Sequence, residues 1–371
     1  MRPRPLVWLL LAALFAAPLS LPAAEPAAPD DAGPYARYVG DDLELRWVCA
    51  GVVTKERIER PTWPVQVASR CGYPRTLALR PRAGIDAPAR TTGAPRLAAL
   101  SDLHGQFDLT RRLLQANGII DADGDWAYGR GHLVVTGDVF DRGPRANDVL
   151  WLLYMLEQQA RDAGGAVHFT LGNHESLVLR DDLRYLHEND RRVAIALGTP
   201  FPALYGPDTV LGDWLRSKRT VLQVDGLVFV HGGIGPGFLA LGLDLDQINV
   251  RSRASLGLSR DQLRGDPVLA ALQDGVGSPI WYRGYFLPDG PDTAQVQVIL
   301  DALGAERIVV GHTSQPGVQS RHGGRVIAID SSIKEGVSGE LLLVEDGVLS
   351  RAGLDGQRRE IPDQAAAAGD D

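Results

Sequence analysis

Five times between Arg96 and Arg351 a short apolar run stops abruptly at a cluster containing Asp, Asn or His, and this recurrence constrains the chain more than any other feature. Leu97-Ala98-Ala99-Leu100 leads into Ser101-Asp102, His132-Leu133-Val134-Val135 into Thr136-Gly137-Asp138, and Val167-His168-Phe169-Thr170 into Gly172-Asn173-His174-Glu175. Leu227-Val228-Phe229-Val230 precedes His231-Gly232-Gly233, and Arg307-Ile308-Val309-Val310 precedes Gly311-His312-Thr313. Apolar runs of this length, bounded by glycine, read as buried strands. Helical stretches lie between them, such as 109–117 and 146–161, the second with a stripe of Val149, Leu150, Leu153 and Leu156. Alternating strands and helices make an α/β fold, and ligands in such folds gather at the C-terminal ends of the strands. Five polar motifs in that position predict one shared site.

The residue types in those motifs suit a pair of metal ions. Two hydrolytic cations about 3.5–4 Å apart need a bridging carboxylate and several nitrogen or oxygen donors. Asp102 and His104 can reach one ion from the turn after a strand, and Gly105 lets the backbone turn away beside it. Asp138 is the natural bridging carboxylate, while Asn173, His231 and His312 complete the second ion. Mixed imidazole and oxygen donors suit Mn, Fe, Zn or Co. A single Asp or His after a strand is commonly a turn former or a satisfied imidazole, so the set carries the reading and its members alone do not.

Asp102-Leu103-His104-Gly105, Gly137-Asp138 through Asp141-Arg142-Gly143, Gly172-Asn173-His174-Glu175, His231-Gly232-Gly233 and Gly311-His312 together resemble the ordered blocks of calcineurin-like metallophosphoesterases. The Asp-Arg-Gly extension and Asn-His-Glu place the chain near the phosphoprotein-phosphatase branch, where it most resembles the bacterial Shewanella-like phosphatases. The resemblance spans about 97–330 and implies a metallophosphoesterase fold: a central β-sandwich of mixed sheets flanked by helices, with a dinuclear metal site at the strand C-terminal ends. It implies that Asp102, His104 and Asp138 hold one ion and that Asp138, Asn173, His231 and His312 hold the other. Two departures stand out. Ser101 replaces the Gly usual in the eukaryotic pattern, and Gly-His-Thr replaces Arg-Ala-His around the last ligand. Both point to a bacterial type of substrate pocket.

The same resemblance implies that His174 is no ligand but protonates the leaving oxygen, with Asp141 orienting the imidazole and favouring its charged form. Arg142, beside the bridging Asp138, offers a forked pair of donors to phosphate. Arg283, in Trp281-Tyr282-Arg283-Gly284-Tyr285, resembles the Trp-Tyr-Arg-Gly block of the bacterial branch and is the second phosphate-binding candidate. Arg184 and Tyr185 follow Asn-His-Glu closely and are candidates for lining the pocket. The expected chemistry is direct in-line attack by a metal-bridging hydroxide, with no phosphoenzyme. Cys49 and Cys71 lie in no Cys-x5-Arg nucleophile loop, in agreement.

The ends set the cellular expectation. Arg2 and Arg4, an apolar run from Leu6 to Ala17 and small residues through Ala24 have the order of a secretory signal, giving a signal peptide over 1–24. An exported protein, periplasmic or secreted and without a stable membrane anchor after cleavage, is expected. Export favours pairing of Cys49 with Cys71 over two separate buried thiols. Residues 25–95 read as an N-terminal extension, flexible over Glu25–Gly33, with short strands and a Pro/Gly/Arg-rich linker from Arg80 to Pro95. The catalytic domain is expected over 96–351 and a flexible tail over 352–371. A formal charge of −8 argues against nucleic acid as a partner.

The leading function is a phosphatase acting on phosphomonoesters, with phosphoprotein Ser, Thr or Tyr among the substrates. The alternative is a hydrolase of nucleotides, dinucleotide polyphosphates or other small phosphoesters. A third reading, a metal-stabilised binding protein that has lost catalysis, is opposed by the intact His174, Asp141, Arg142 and full ligand set. Asp121-Ala122-Asp123-Gly124-Asp125 imitates the start of a calcium loop, but its twelfth position is His132 where Glu is required, so a solvated turn is expected.

Overall fold

The computed structural model describes residues 30–82, 84 and 88–363. The signal expected over 1–24 and the chain end, 364–371, lie outside the described residues. The described chain opens with an antiparallel meander of β1 (Ala32–Val39), β2 (Asp42–Cys49) and β3 (Val52–Ile58). Alternation decides which face of β2 is buried: Leu43, Leu45 and Trp47 point into the core. A short ladder of β4 (Val65–Val67) and β5 (Leu77–Leu79) comes next, then β6 (Arg90–Thr91).

Two expectations need correction here. Glu25–Gly33 reads as flexible throughout, yet β1 begins at Ala32, inside that stretch. The expected linker, Arg80–Pro95, contains β6, which pairs in parallel with a strand of the catalytic unit. The meander also shares a core with the main domain. Trp151 Nε1 donates to the Pro34 carbonyl at 2.9 Å, and the ring of Tyr35 meets that of Tyr205 edge-on at 6.3 Å. Composition hid this, because proline-rich ends look like linkers whether or not a neighbour covers them.

Cys49, at the end of β2, forms a disulfide with Cys71 across a separation of 22 residues. Closing a loop of that size removes unfolded-chain entropy worth about 3 kcal/mol. The double substitution Cys49→Ser, Cys71→Ser is therefore expected to lower the denaturant midpoint by a corresponding amount. An unchanged midpoint would show that the crosslink adds nothing to stability.

Four of the five predicted strands come next, β7 (Arg96–Leu100), β8 (His132–Val135), β9 (Ala166–Phe169) and β11 (Leu227–Val230), the last in a hairpin with β10 (Val221–Val224), which the apolar runs do not mark; the fifth is the strand over Arg307–Val310. The chain adds β12 (Arg307–Val310), β13 (Gln319–Arg321), β14 (Val326–Ala328), β15 (Leu341–Glu345), β16 (Val348–Ala352) and β17 (Arg358–Arg359). They form two mixed six-stranded sheets, ordered β17-β16-β15-β7-β8-β9 and β13-β14-β12-β11-β10-β6. The expected tail begins too early, since β17 lies within 352–371 and pairs with β16.

The sheets face one another across a layer that includes Ala99, Val134, Phe229, Val309, Ile327 and Leu342, each essentially excluded from water. Burial of each large side chain contributes about 1.5–3 kcal/mol. Helices α1 (Phe107–Ala116) and α2 (Ala146–Asp162) cover the outer face of the first sheet; the helix Thr293–Leu303 helps cover the second. The metallophosphoesterase sandwich is thus present. Strands β7, β8 and β9 run parallel, as do β11 and β12, and all five polar motifs lie just past their C-terminal ends.

Candidate metal centre and active site

Backbone strain marks the site before any side chain is considered. Asp102, His104, Asp138, Asp141, Arg142 and His312 all sit at positive φ, between +40° and +69°. Non-glycine residues seldom adopt that conformation, and clusters of it belong to functional loops held by their surroundings. Here the loops hold one another: His104 N–H donates to the Asp138 carbonyl at 2.9 Å and Gly105 N–H to that of Val139 at 2.9 Å. Glycine permits the closest approach, for a Cβ on Gly172 would collide with Asp138 Oδ1.

Glu175 fastens the central loop. Its buried carboxylate accepts the backbone N–H groups of Asp138 at 2.9 Å, Val139 at 2.8 Å and Gly172 at 2.8 Å. It thereby joins the Asp138 turn to the start of the helix α3 (Asn173–Leu179). Asp138 Oδ1 in turn accepts from His174 N–H at 2.9 Å, which leaves Oδ2 facing the imidazoles. That oxygen lies 3.1 Å from His231 Nε2 and 3.8 Å from both His104 Nε2 and His174 Nε2.

Two of the histidines at the strand ends, His104 and His231, are set by carbonyl oxygens behind them. His104 Nδ1 donates to Phe140 O at 2.8 Å, and His231 Nδ1 to Thr136 O at 2.6 Å. Each contact turns the Nε2 lone pair inward, an orientation typical of metal ligands. Asp102 Oδ2 accepts from His312 N–H at 3.0 Å, and His231 Nε2 lies 2.9 Å from Asn173 Oδ1. The structure therefore brings Asp102, His104, Asp138, Asn173, His231 and His312 into one buried cluster.

This donor set fits cations. Asp138, His231 and His312 offer ligand atoms within 4.8 Å of one another, as do Asp138, His104 and His174. Lone pairs and carboxylates converging in a buried space repel unless positive charge lies between them. His312 Nε2 is buried with no hydrogen-bond partner among the described residues. Burial holds His104 down to about 3, and so neutral. Burial also opposes charge on His231, but Asp138 outweighs it and lifts that imidazole to about 10. Without a cation, a proton would have to do the neutralising.

His174 is arranged differently. Its Nδ1 meets Asp141 Oδ2 at 2.5 Å, and its Nε2 faces the cleft. Burial opposes its charging, but Asp138 and Asp141 prevail and raise it. The cleft is also lined by Arg142, Tyr185, Trp281, Arg283, Ser314 and Lys334. Arg142 lies over the Tyr185 ring at 5.2 Å, and Arg283 Nη1 donates to the His312 carbonyl at 2.7 Å. Arg184 turns away from the cleft into an ion pair with Asp182 at 2.5 Å. The acidic turn at Asp121–Asp125 is likewise remote from metal chemistry, with Asp125 paired to Arg75 at 2.7 Å.

Sequence reasoning missed Trp281, Ser314 and Lys334 as cleft residues. One signal was legible: Val326-Ile327-Ala328-Ile329 before Asp330-Ser331 is a sixth apolar run ending in a polar motif.

A sandwich carrying such a centre at its strand ends defines a class, and comparison agrees. Residues 95–316 match the calcineurin-like phosphoesterase family, and the chain belongs to it. The crystal structure of a cold-active protein-tyrosine phosphatase of a psychrophilic Shewanella species superposes with a TM-score of 0.84 at 41% identity, covering 89% of this chain and 99% of that one. Shewanella-like protein phosphatase 2 of Arabidopsis thaliana is 26% identical over 287 residues, 65% of this chain and 72% of the plant protein. An uncharacterized protein of Schizosaccharomyces pombe is 30% identical over 257 residues, 65% of this chain and 74% of its own. Within the family, this chain is a phosphatase of the Shewanella-like group.

Proposed function

We propose that this phosphatase hydrolyses aryl phosphomonoesters, with phosphotyrosine in proteins as its substrate class. The observation that carries the reading is a pair of aromatic side chains edging the cleft. The Tyr185 ring lies 5.1 Å from that of the proton donor His174, and the Trp281 ring 5.7 Å from that of His312. A planar leaving group stacks between such walls, whereas an alkyl one gains little from them. The 41% identical Shewanella protein-tyrosine phosphatase supports the same class.

Asp102, His104, Asp138, Asn173, His231 and His312 hold two transition-metal ions, drawn from Mn, Fe, Zn and Co. When bound, these supply Lewis-acid charge and activate water at neutral pH. Arg142 and Arg283 orient the phosphoryl oxygens. Arg283 is anchored through Nη1 to the His312 carbonyl at 2.7 Å and to Thr313 Oγ1 at 3.3 Å, which leaves its Nε and Nη2 N–H groups for the substrate. His174, steadied by Asp141, gives its proton to the departing phenoxide. The leader-like 1–24 segment and the disulfide support export to the periplasm or medium.

A panel with metal-reconstituted protein tests this assignment. Phosphotyrosine peptides are expected to exceed phosphoserine peptides at least about tenfold in kcat/KM, a step worth about 1.4 kcal/mol. Nucleotides, dinucleotide polyphosphates and a phosphodiester complete the panel. Faster turnover of any of these than of the tyrosine peptide would replace the reading with small-phosphoester hydrolysis.

A further inference from the structure

Lys334 is one of three lysines in the chain and stands in the wall of the catalytic cleft. Its placement is built. After β14 the backbone passes through Ser332 at φ +62°, which sends Ile333 into the core and begins a single turn over Ile333–Glu335. Gln106 Nε2, from the loop just after the Asp102-x-His104 motif, donates to the Lys334 carbonyl at 3.0 Å. The ammonium donates to Ser314 Oγ at 2.6 Å, and Ser314 Oγ donates to Asp330 Oδ2 at 2.6 Å. Ser314 lies two residues beyond His312, so this chain of contacts ties the lysine to the rim of the donor cluster.

An ammonium has three N–H groups, and Ser314 uses one. Among the described residues the others have no hydrogen-bond partner, and they can meet an anion in the cleft that Arg142 and Arg283 also line. Two arginines and a pair of cations already suffice for the single negative charge of a phosphodiester. A third side-chain cation adds most for a dianion, because each further charge interacts with an oxygen that only a monoester leaves unesterified. We propose that Lys334 recognises the third non-bridging oxygen of a phosphomonoester and thereby selects monoesters over diesters. The inference rests on the phosphatase reading and adds a residue that determines its specificity.

Inhibition of p-nitrophenyl phosphate turnover by phenylphosphonate, a dianion, and by its monomethyl ester, a monoanion, tests the role on the metal-loaded protein. Lys334→Met is expected to weaken phenylphosphonate about 10–100-fold, the scale of a hydrogen bond to a charged group, and the monomethyl ester far less. Lys334→Arg is expected to keep most of the discrimination. Equal weakening of both inhibitors by Lys334→Met would overturn the proposal, since a structural role does not distinguish charge states. Should Lys334→Met not fold, Lys334→Gln gives the same comparison. A preference for serine peptides in the substrate panel would sink the aryl reading and leave this result standing on its own.

Discussion

Asp138→Asn is expected to lower kcat/KM at least about 10³-fold, the upper range for losing one electrostatic contact to a transition state, and to leave the protein short of metal. The reason is positional. Asp138 Oδ2 is the oxygen within reach of the imidazoles on both sides, and Oδ1 is already committed to His174 N–H. An amide in its place offers a weaker oxygen or a donor nitrogen, and neither bridges two cations. Elemental analysis after gel filtration, alongside turnover, checks the prediction. A variant that kept both ions and wild-type turnover would remove Asp138 from the bridging position. Because Glu175 holds the backbone of this loop, the fold should survive the change. An unaltered circular dichroism spectrum then assigns the loss to chemistry.

His174→Asn comes second and separates the proposed proton donor from the proposed ligands. Its Nδ1 is engaged by Asp141 and its Nε2 faces the cleft, so the substitution removes a proton source and spares the donor set expected to bind metal. kcat is expected to fall about 10²–10⁴-fold, the usual worth of general acid catalysis, with metal content retained. The loss should be greatest for phenyl phosphate and least for 2,4-dinitrophenyl phosphate, whose leaving group needs no proton. A uniform loss across leaving groups would assign His174 a structural or binding role instead.

The cluster of donor residues was legible because its chemistry is local in sequence. Each of Asp102, His104, Asp138, Asn173, His231 and His312 comes just after an apolar run that had to be a buried strand, and parallel strands deliver the residues at their ends to one edge. The edges of the domain were harder to read. β6 and β17 look like linker or tail because neither carries an apolar residue, and only backbone pairing, of β6 with the distant β10 and of β17 with β16, makes them strands.

By itself the sequence determined the strand-and-motif order and the identity of the donor residues, and its resemblance to a family supplied the His174–Asp141 pairing. Only the tertiary structure decided that Glu175 would clamp the Asp138 loop, that Arg184 would turn to Asp182, and that Tyr185 and Trp281 would edge the cleft. It alone brought Lys334, 230 positions beyond His104, to the same cleft. The physical reason is that a side chain's direction depends on backbone conformation and on the neighbours that pack around it. Composition records neither.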